Sequence, residues 1–292
     1  MAPILEYVGD RSVEWGEELT FTVTANDPGN DELTYSLEGT IPAGALINDE
    51  TGEFSWTSTS DQIGSYTFNV KVSDDGDPVL SDDETITVTV GKRSTTLVYT
   101  GDLVGQYSDK VTFAATLIDE LSGGTLEGYE ISFKLGSKFV SNILDNSGLA
   151  KADLVLDQVA GSYQIESFFA GNSLFLESGD SDDFTINVEN AFPEYTGDTI
   201  ISTGKPINLR ATIYEALDGY PGDLTKIYVT FQINGVSYGP VIVSNTDSLG
   251  VCVAEMQISD LLEGGYEILV KIEPNDYYTC LLYTSPSPRD RS

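Results

Sequence analysis

Apolar side chains in this chain recur on every second residue, and almost nowhere at helical spacing. Thr85-Ile86-Thr87-Val88-Thr89-Val90 alternates without a break, and so do Leu19-Thr20-Phe21-Thr22-Val23-Thr24-Ala25 and Tyr66-Thr67-Phe68-Asn69-Val70-Lys71-Val72. A period of two belongs to a β-strand with one face on a core and the other in water. Turn-forming clusters interrupt these runs, as in Asn26-Asp27-Pro28-Gly29-Asn30-Asp31, Asn48-Asp49-Glu50-Thr51-Gly52 and Asp74-Asp75-Gly76-Asp77-Pro78. Short strands broken about every 8–12 residues predict two-sheet sandwiches, because a single open sheet would leave its apolar face wet. The fold class expected is therefore all-β. In residues 1–91 the strands fall at 12–15, 18–25, 32–38, 53–56, 64–73 and 83–90, with Trp56 packed between the sheets.

A second pattern sets the number of sandwiches. Asp145-Asn146-Ser147-Gly148-Leu149-Ala150-Lys151-Ala152 is echoed by Asp247-Ser248-Leu249-Gly250-Val251-Cys252-Val253-Ala254. The segments around each echo recur in the same order. Val111–Leu117 answers to Ile207–Ile213, Ile131–Leu135 to Val229–Ile233, and Gly161–Ile165 to Gly264–Ile268. A period of about a hundred residues is one whole domain copied in tandem. The plan expected is three tandem sandwiches, at 1–91, 92–190 and 191–279, with Gly91-Lys92-Arg93-Ser94 as a short junction. In both later copies Asp-x-x-Gly reads as a tight turn, with glycine where φ must be positive. Tyr163 and Tyr266 follow glycines at matching places, which points to a tyrosine whose hydroxyl bonds the nearby backbone.

The third copy stops near Tyr277-Tyr278, before its last strand, and should leave a sheet edge open. Residues 280–292 then change character abruptly. Cys280-Leu281-Leu282-Tyr283-Thr284-Ser285-Pro286-Ser287-Pro288-Arg289-Asp290 resembles the translation of a transposase-type sequencing adapter, so this stretch is expected to be a non-native tail. A genuine Pro/Ser linker is the alternative. Met1-Ala2-Pro3 leads straight into strand-like sequence, so the chain is expected to be a fragment of a longer protein.

Charge and composition narrow the function classes. The chain carries 47 acidic against 14 basic residues, a net of −33, and residues 1–91 alone hold 19 acids against 2 bases. Such a surface repels nucleic-acid phosphates and anionic membranes, stays soluble in salt and collects divalent cations. Two cysteines, Cys252 and Cys280, point to no disulfide framework, and Cys252 sits in an alternating run as a small core residue. No run of about 18 apolar residues provides a membrane-spanning helix. The chain has no histidine, which removes Ser-His and Cys-His nucleophiles and His-based metal sites. No phosphate-binding loop, dinucleotide fingerprint or zinc spacing is present. The expectation is that the chain is not an enzyme and needs no cofactor, apart from a calcium ion considered below.

Ala2-Pro3-Ile4-Leu5, Val13-Glu14-Trp15-Gly16-Glu17, Phe21-Thr22-Val23-Thr24-Ala25-Asn26-Asp27-Pro28, Leu33-Thr34-Tyr35-Ser36-Leu37, Thr51-Gly52-Glu53-Phe54-Ser55-Trp56 and Gly64-Ser65-Tyr66-Thr67-Phe68 run through residues 1–91. Together they resemble the cadherin-like, putative-Ig repeats of prokaryotic surface proteins. Residues 95–190, and more loosely 191–279, resemble bacterial Ig-like repeats through Asp145-x-x-Gly148-x-Ala150, Ala160-Gly161-Ser162-Tyr163 and Phe169-Ala170-Gly171-Asn172-Ser173-Leu174-Phe175-Leu176. The resemblance implies a secreted or cell-surface, adhesin-type protein. Its role would be structural, a spacer holding a distal domain away from the envelope. The partners implied are neighbouring domains of the same chain, with a cell-surface protein or glycan beyond them.

The same resemblance implies a calcium site. Ser73-Asp74-Asp75-Gly76-Asp77-Pro78 is similar to a cadherin run whose first Asp is a ligand, which points to Asp74. Asp27 matches the first Asp of the cadherin Ala-x-Asp-x-Asp loop. Gly29 stands in place of the second, and Asp31 follows two residues on. Ser58-Thr59-Ser60-Asp61 replaces the cadherin Leu-Asp-Arg-Glu, and Lys92-Arg93 replaces its acidic linker. The implied set is therefore Asp27, Asp31 and Asp74 at one pole, with no calcium-bridged junction between the first two sandwiches. Aspartates that only shape turns are the alternative. A rival to the spacer role is a carbohydrate- or protein-binding module that uses loop-end tyrosines Tyr195, Tyr220, Tyr238, Tyr277 and Tyr278.

Overall fold

The computed structural model describes residues 1–200, 202, 204–215, 223–245, 252–259, 261–262, 264–280 and 283–284. The second echo, Asp247–Gly250, and Tyr220 lie outside these residues. The chain forms three all-β sandwiches in series. In the first, strands β1 (Ile4–Leu5), β2 (Arg11–Glu14), β3 (Glu18–Thr22), β4 (Ala25–Asn26), β5 (Leu33–Gly39), β6 (Leu46–Ile47), β7 (Glu53–Thr57), β8 (Gly64–Asp74) and β9 (Ser81–Gly91) appear in turn. They pair as a β2-β9-β8-β5 sheet facing a β3-β7-β6 sheet, with β1 on β4.

Alternation decides what each strand buries. In β8, Phe68, Val70 and Val72 are almost fully buried, while Thr67, Asn69 and Lys71 take the other face. Phe54 of β7 stacks on Phe68 across the sheets at 6.0 Å. Trp56 is 1% exposed and donates its Nε1 to Ala43 O at 3.2 Å, so the indole is buried without an orphaned N–H. Each such side chain contributes about 1.5–3 kcal/mol by burial.

The second sandwich holds β10 (Thr95–Tyr99), β11 (Val104–Gln106), β12 (Lys110–Asp119), β13 (Glu130–Leu135), β14 (Lys138–Ile143), β15 (Leu149–Val155), β16 (Gly161–Phe169) and β17 (Ser178–Asn187). Its sheets are β10-β12-β15 and β11-β17-β16-β13-β14. The third holds β18 (Glu189–Tyr195), β19 (Ile207–Glu215), β20 (Tyr228–Ile233), β21 (Val236–Ile242), β22 (Ser244–Asn245), β23 (Cys252–Ile258), β24 (Ile268–Glu273), β25 (Tyr278–Cys280) and β26 (Tyr283–Thr284). Its sheets are β22-β23-β19-β18-β25 and β21-β20-β24-β26.

The sequence echo is also an echo of register. Thr95 pairs with Asp119 as Ala191 pairs with Glu215, and Phe133 pairs with Ser167 as Phe231 pairs with Val270. Register is held because a slip of one residue would turn every core side chain outward. Cys252 is buried in the third core, beside Ala254.

The copies differ at their last strand. β17 pairs with β16 from Phe169↔Ser178 to Gly161↔Ile186. Among the described residues of the third sandwich, Tyr283–Thr284 stand at that place, against Leu269 and Val270. Two residues of the tail thus pair with the edge of β24.

Candidate metal centre

The three aspartates implied by resemblance meet at one pole of the first sandwich. Strand β5 pairs with β8 so that Leu33 faces Asp74, and this places the loop entering β5 beside the end of β8. One carboxylate oxygen from each of Asp27, Asp31 and Asp74 lies within 4.8 Å of the other two. Asp27 and Asp74 are buried, at 9% and 5% exposure, while Asp31 remains open to solvent.

Hydrogen bonds hold the cluster in place. Asp27 Oδ2 accepts from the Asp31 backbone N–H at 2.7 Å. Asp74 Oδ1 accepts from Leu80 N–H at 2.7 Å, and its own N–H donates to Leu80 O at 3.0 Å. The Glu32 N–H donates to Asp75 Oδ1 at 2.9 Å and ties one loop to the other. These bonds leave Asp27 Oδ1 buried, with no hydrogen-bond partner among the described residues. A buried carboxylate oxygen without a donor is costly, and three carboxylates this close repel one another.

The residues present fit a hard divalent cation. Calcium takes six to eight oxygens, carboxylates among them. Space is left for an ion because two neighbouring residues lack side chains. A Cβ on Gly29 would lie 2.8 Å from Asp31 Oδ2 and 2.9 Å from Asp27 Oδ2, and one on Gly76 would lie 3.2 Å from Asp31 Oδ2. Gly29, which breaks the cadherin-like acid spacing, is thus also the residue that keeps the cluster open.

The tyrosines proposed as a binding platform are a correction. Tyr195 is half-buried, donates its hydroxyl to Asp198 O at 2.8 Å and meets Phe231 edge-on at 6.4 Å. Tyr238 packs against the third core, Tyr278 is fully buried, and Tyr277 lies against Tyr107 at 4.8 Å. Tyr195, Tyr238 and Tyr277 are partly buried and Tyr278 fully, all four packed on the third core. The hydroxyls of Tyr195 and Tyr278 find partners at the core edge, and all four rings follow the hydrophobic effect inward.

The backbone-bonded tyrosines do occur at the expected places. Tyr163 donates to Val159 O at 2.8 Å and Tyr266 to Leu262 O at 2.9 Å. Tyr66 does the same to Gln62 O at 3.0 Å in the first sandwich. Its glycine, Gly64, stands two residues before it, and that spacing in Gly64-Ser65-Tyr66 was the missed signal. At the first echo, Asp145 Oδ1 accepts from Ser147 N–H and Leu149 N–H at 2.8 and 3.1 Å, and Gly148 has φ +74°. The Ser147 hydroxyl and these N–H groups hold the Asp145 carboxyl below its ordinary range.

Residues 2–91 match the family model described as Putative Ig domain. No curated protein matches the chain. Among solved structures, a tetra-tandem repeat from the extending region of a large adhesion protein is 14% identical, with a TM-score of 0.40. The match covers 97% of this chain and 72% of that one. Repeats EC22-24 of mouse cadherin-23 are 16% identical with a TM-score of 0.31, over 97% of this chain and 96% of theirs. Repeats EC1-2 of human protocadherin-24 are 15% identical with a TM-score of 0.30, over 64% of this chain and 96% of theirs.

Proposed function

We propose that the three sandwiches are a non-catalytic spacer within a larger secreted or cell-surface, adhesin-type protein, holding a further domain away from the envelope. The observation that carries this is how directly one sandwich passes into the next. Only Lys92, Arg93 and Ser94 separate β9 from β10, and only Val188 separates β17 from β18. Links this short leave no slack for the modules to fold back on one another. The acidic surface suits a solvated, salt-exposed location, and the absence of histidine and of a nucleophile motif supports a role without chemistry. Among the described residues no helix is long and apolar enough to cross a membrane.

Small-angle scattering from the intact chain tests the spacer. A maximum dimension near three sandwich lengths is expected, and a profile of one compact particle would overturn it.

At the outer pole of the first sandwich, Asp27, Asp31 and Asp74 are proposed to hold calcium. The ion would satisfy the orphaned Asp27 oxygen and cancel the repulsion among the three carboxylates. Thermal melting at millimolar calcium should raise the transition of the first sandwich in the parent and not in Asp27→Asn. An unchanged transition in the parent would dismiss the ion.

A further inference from the structure

Both joints between sandwiches are built to one plan, from residues that the sequence echo does not reveal. The first part is an aromatic side chain placed directly after the short strand that runs parallel to a sandwich's last strand. Trp15 follows β2, which pairs with β9, and Tyr107 follows β11, which pairs with β17.

The second part is an asparagine-centred loop on the next sandwich. Asn172 Oδ1 accepts from Leu174 N–H and Phe175 N–H at 2.7 and 2.9 Å. Asn275 Oδ1 accepts from Tyr277 N–H and Tyr278 N–H at 2.8 and 2.9 Å. Each loop receives its aromatic. Trp15 meets Phe175 edge-on at 5.9 Å and donates Nε1 to Leu174 O at 2.8 Å. Tyr107 meets Tyr277 and Tyr278 edge-on at 4.8 and 5.5 Å.

The third part is a cation over the ring. The Arg93 guanidinium lies 3.7 Å from the Trp15 ring centre, donates Nε to Trp15 O at 2.8 Å and Nη1 to Asp119 Oδ2 at 2.7 Å. It therefore binds both sandwiches at once. At the second joint Glu189 and Glu215 stand where Arg93 and Asp119 stand at the first, as the matching registers require. The cation comes instead from Lys226, in the short 3-10 helix Leu224–Lys226 of the third sandwich. Its Nζ lies 4.1 Å from the Tyr277 ring centre and 4.9 Å from that of Tyr107, and donates to the Tyr107 hydroxyl at 2.9 Å.

The linker backbone completes each joint. Arg93 N–H donates to Leu174 O at 3.0 Å and Leu176 N–H returns to Arg93 O at 2.9 Å, while Glu189 N–H donates to Tyr277 O at 2.7 Å.

We propose that these two joints are metal-independent locks, in which a cation clamped on an inserted aromatic ring fixes the angle between successive sandwiches. A planar guanidinium that stacks and forks at once removes both bending and twisting freedom at the first joint. At the second, one ammonium shared by two rings does the same with fewer directional bonds. Among the described residues the acidic triad lies at the far pole of the first sandwich, away from either joint. The spacer reading supplies the purpose of such locks, and the test separates the two ideas.

Electron–electron distance measurements on the intact chain test the locks, in a Cys252→Ala, Cys280→Ser background. One nitroxide pair at Glu50→Cys and Glu127→Cys spans the first joint, and another at Lys151→Cys and Glu255→Cys spans the second. Narrow distance distributions that do not change with EDTA are expected. Arg93→Ala should widen only the first severalfold, with Arg93→Lys in between, and Lys226→Ala should widen only the second. Separate melting of each variant checks that its sandwiches remain folded. Broad distributions in the parent, widening by EDTA, or narrow distributions that survive both alanine variants would overturn the proposal. Narrow distributions in a chain whose scattering is compact would retire the spacer and leave the locks standing.

Discussion

The Arg93 guanidinium stacks on the Trp15 ring at 3.7 Å while one of its nitrogens holds the buried Asp119. One cation thus serves the aromatic of the first sandwich and the carboxylate of the second. Arg93 and Asp119 side chains are 15% and 4% exposed, so this is a desolvated pair and not a surface ion pair. Arg93→Ala leaves Asp119 buried with the Ser122 hydroxyl and Leu121 N–H as its side-chain donors among the described residues. The expected loss is about 3 kcal/mol, the low end for a broken buried pair because those donors remain. Thermal melting that follows the second sandwich checks it. A loss below about 1 kcal/mol would place the pair with solvent-exposed bridges.

Gly16 should act on the same pair. It has φ +81°, and a Cβ there would lie 2.2 Å from an Arg93 guanidinium nitrogen. Gly16→Ala is expected to displace Arg93 from Trp15 and to lower stability by at least about 1 kcal/mol through backbone strain alone. Tryptophan fluorescence, with Trp56 replaced by Phe, would report the change around Trp15. An unchanged Trp15 spectrum would count against the displacement.

Three of the backbone-bonded tyrosines, one per sandwich, offer a comparison across modules. Tyr66→Phe, Tyr163→Phe and Tyr266→Phe each remove one hydroxyl-to-carbonyl bond from a different sandwich. Each should cost its own sandwich about 0.5–1.5 kcal/mol and leave the other two unchanged. Calorimetry with hydrogen exchange resolves which sandwich responds. A loss spread evenly over all three would mean that the modules unfold as one unit.

Gly29→Ala separates turn-shaping from cation binding. The new methyl would crowd the Asp27 and Asp31 oxygens, of which the solvent-exposed Asp31 side chain can swing aside when no ion is present. Stability in EDTA should change by less than about 1 kcal/mol, while the calcium-dependent rise in melting temperature is lost. A full calcium response in Gly29→Ala would move the ion elsewhere.

Alkaline pH should loosen the third sandwich. Burial, with the nearby Asp198 charge, pushes the Tyr195 hydroxyl up to about 12 from its ordinary 10.0, and Tyr278 of the same sandwich is raised for the same first reason. A pKa raised on folding means that the folded state keeps its proton longer than the unfolded chain. The contribution is then fully present below pH 10 and is lost as pH rises through about 12. Tyr195→Phe should flatten this decline, as read by denaturant melts between pH 9 and about 12. An equally steep decline in Tyr195→Phe would assign it to other groups.

Much of this was legible in the chain itself. Period-two runs such as Tyr66–Val72 dictated the strand faces, because a pleated strand has no other way to bury Phe68, Val70 and Val72 together. The Asp145–Gly148 turn carried its conformation in its own residue types, and the resemblance of two short loops named Asp27, Asp31 and Asp74 before their oxygens were seen within 4.8 Å. Local chemistry acts within a few residues, and such features are written locally.

Contacts between modules are not. Trp15 and Leu174 are 159 positions apart, and Lys226 and Tyr107 are 119 apart. Their meeting depends on where whole sandwiches end, not on any neighbour in the chain. For the same reason Tyr277 and Tyr278 read as loop-tip tyrosines in sequence and lie packed against Tyr107 in space. The amino-acid order by itself determined the β-strands, their faces and their tandem repetition, because alternation and turn chemistry are short-range. Only the tertiary structure decided which cation sits on which ring, because those choices are made by surfaces that exist once each sandwich has closed.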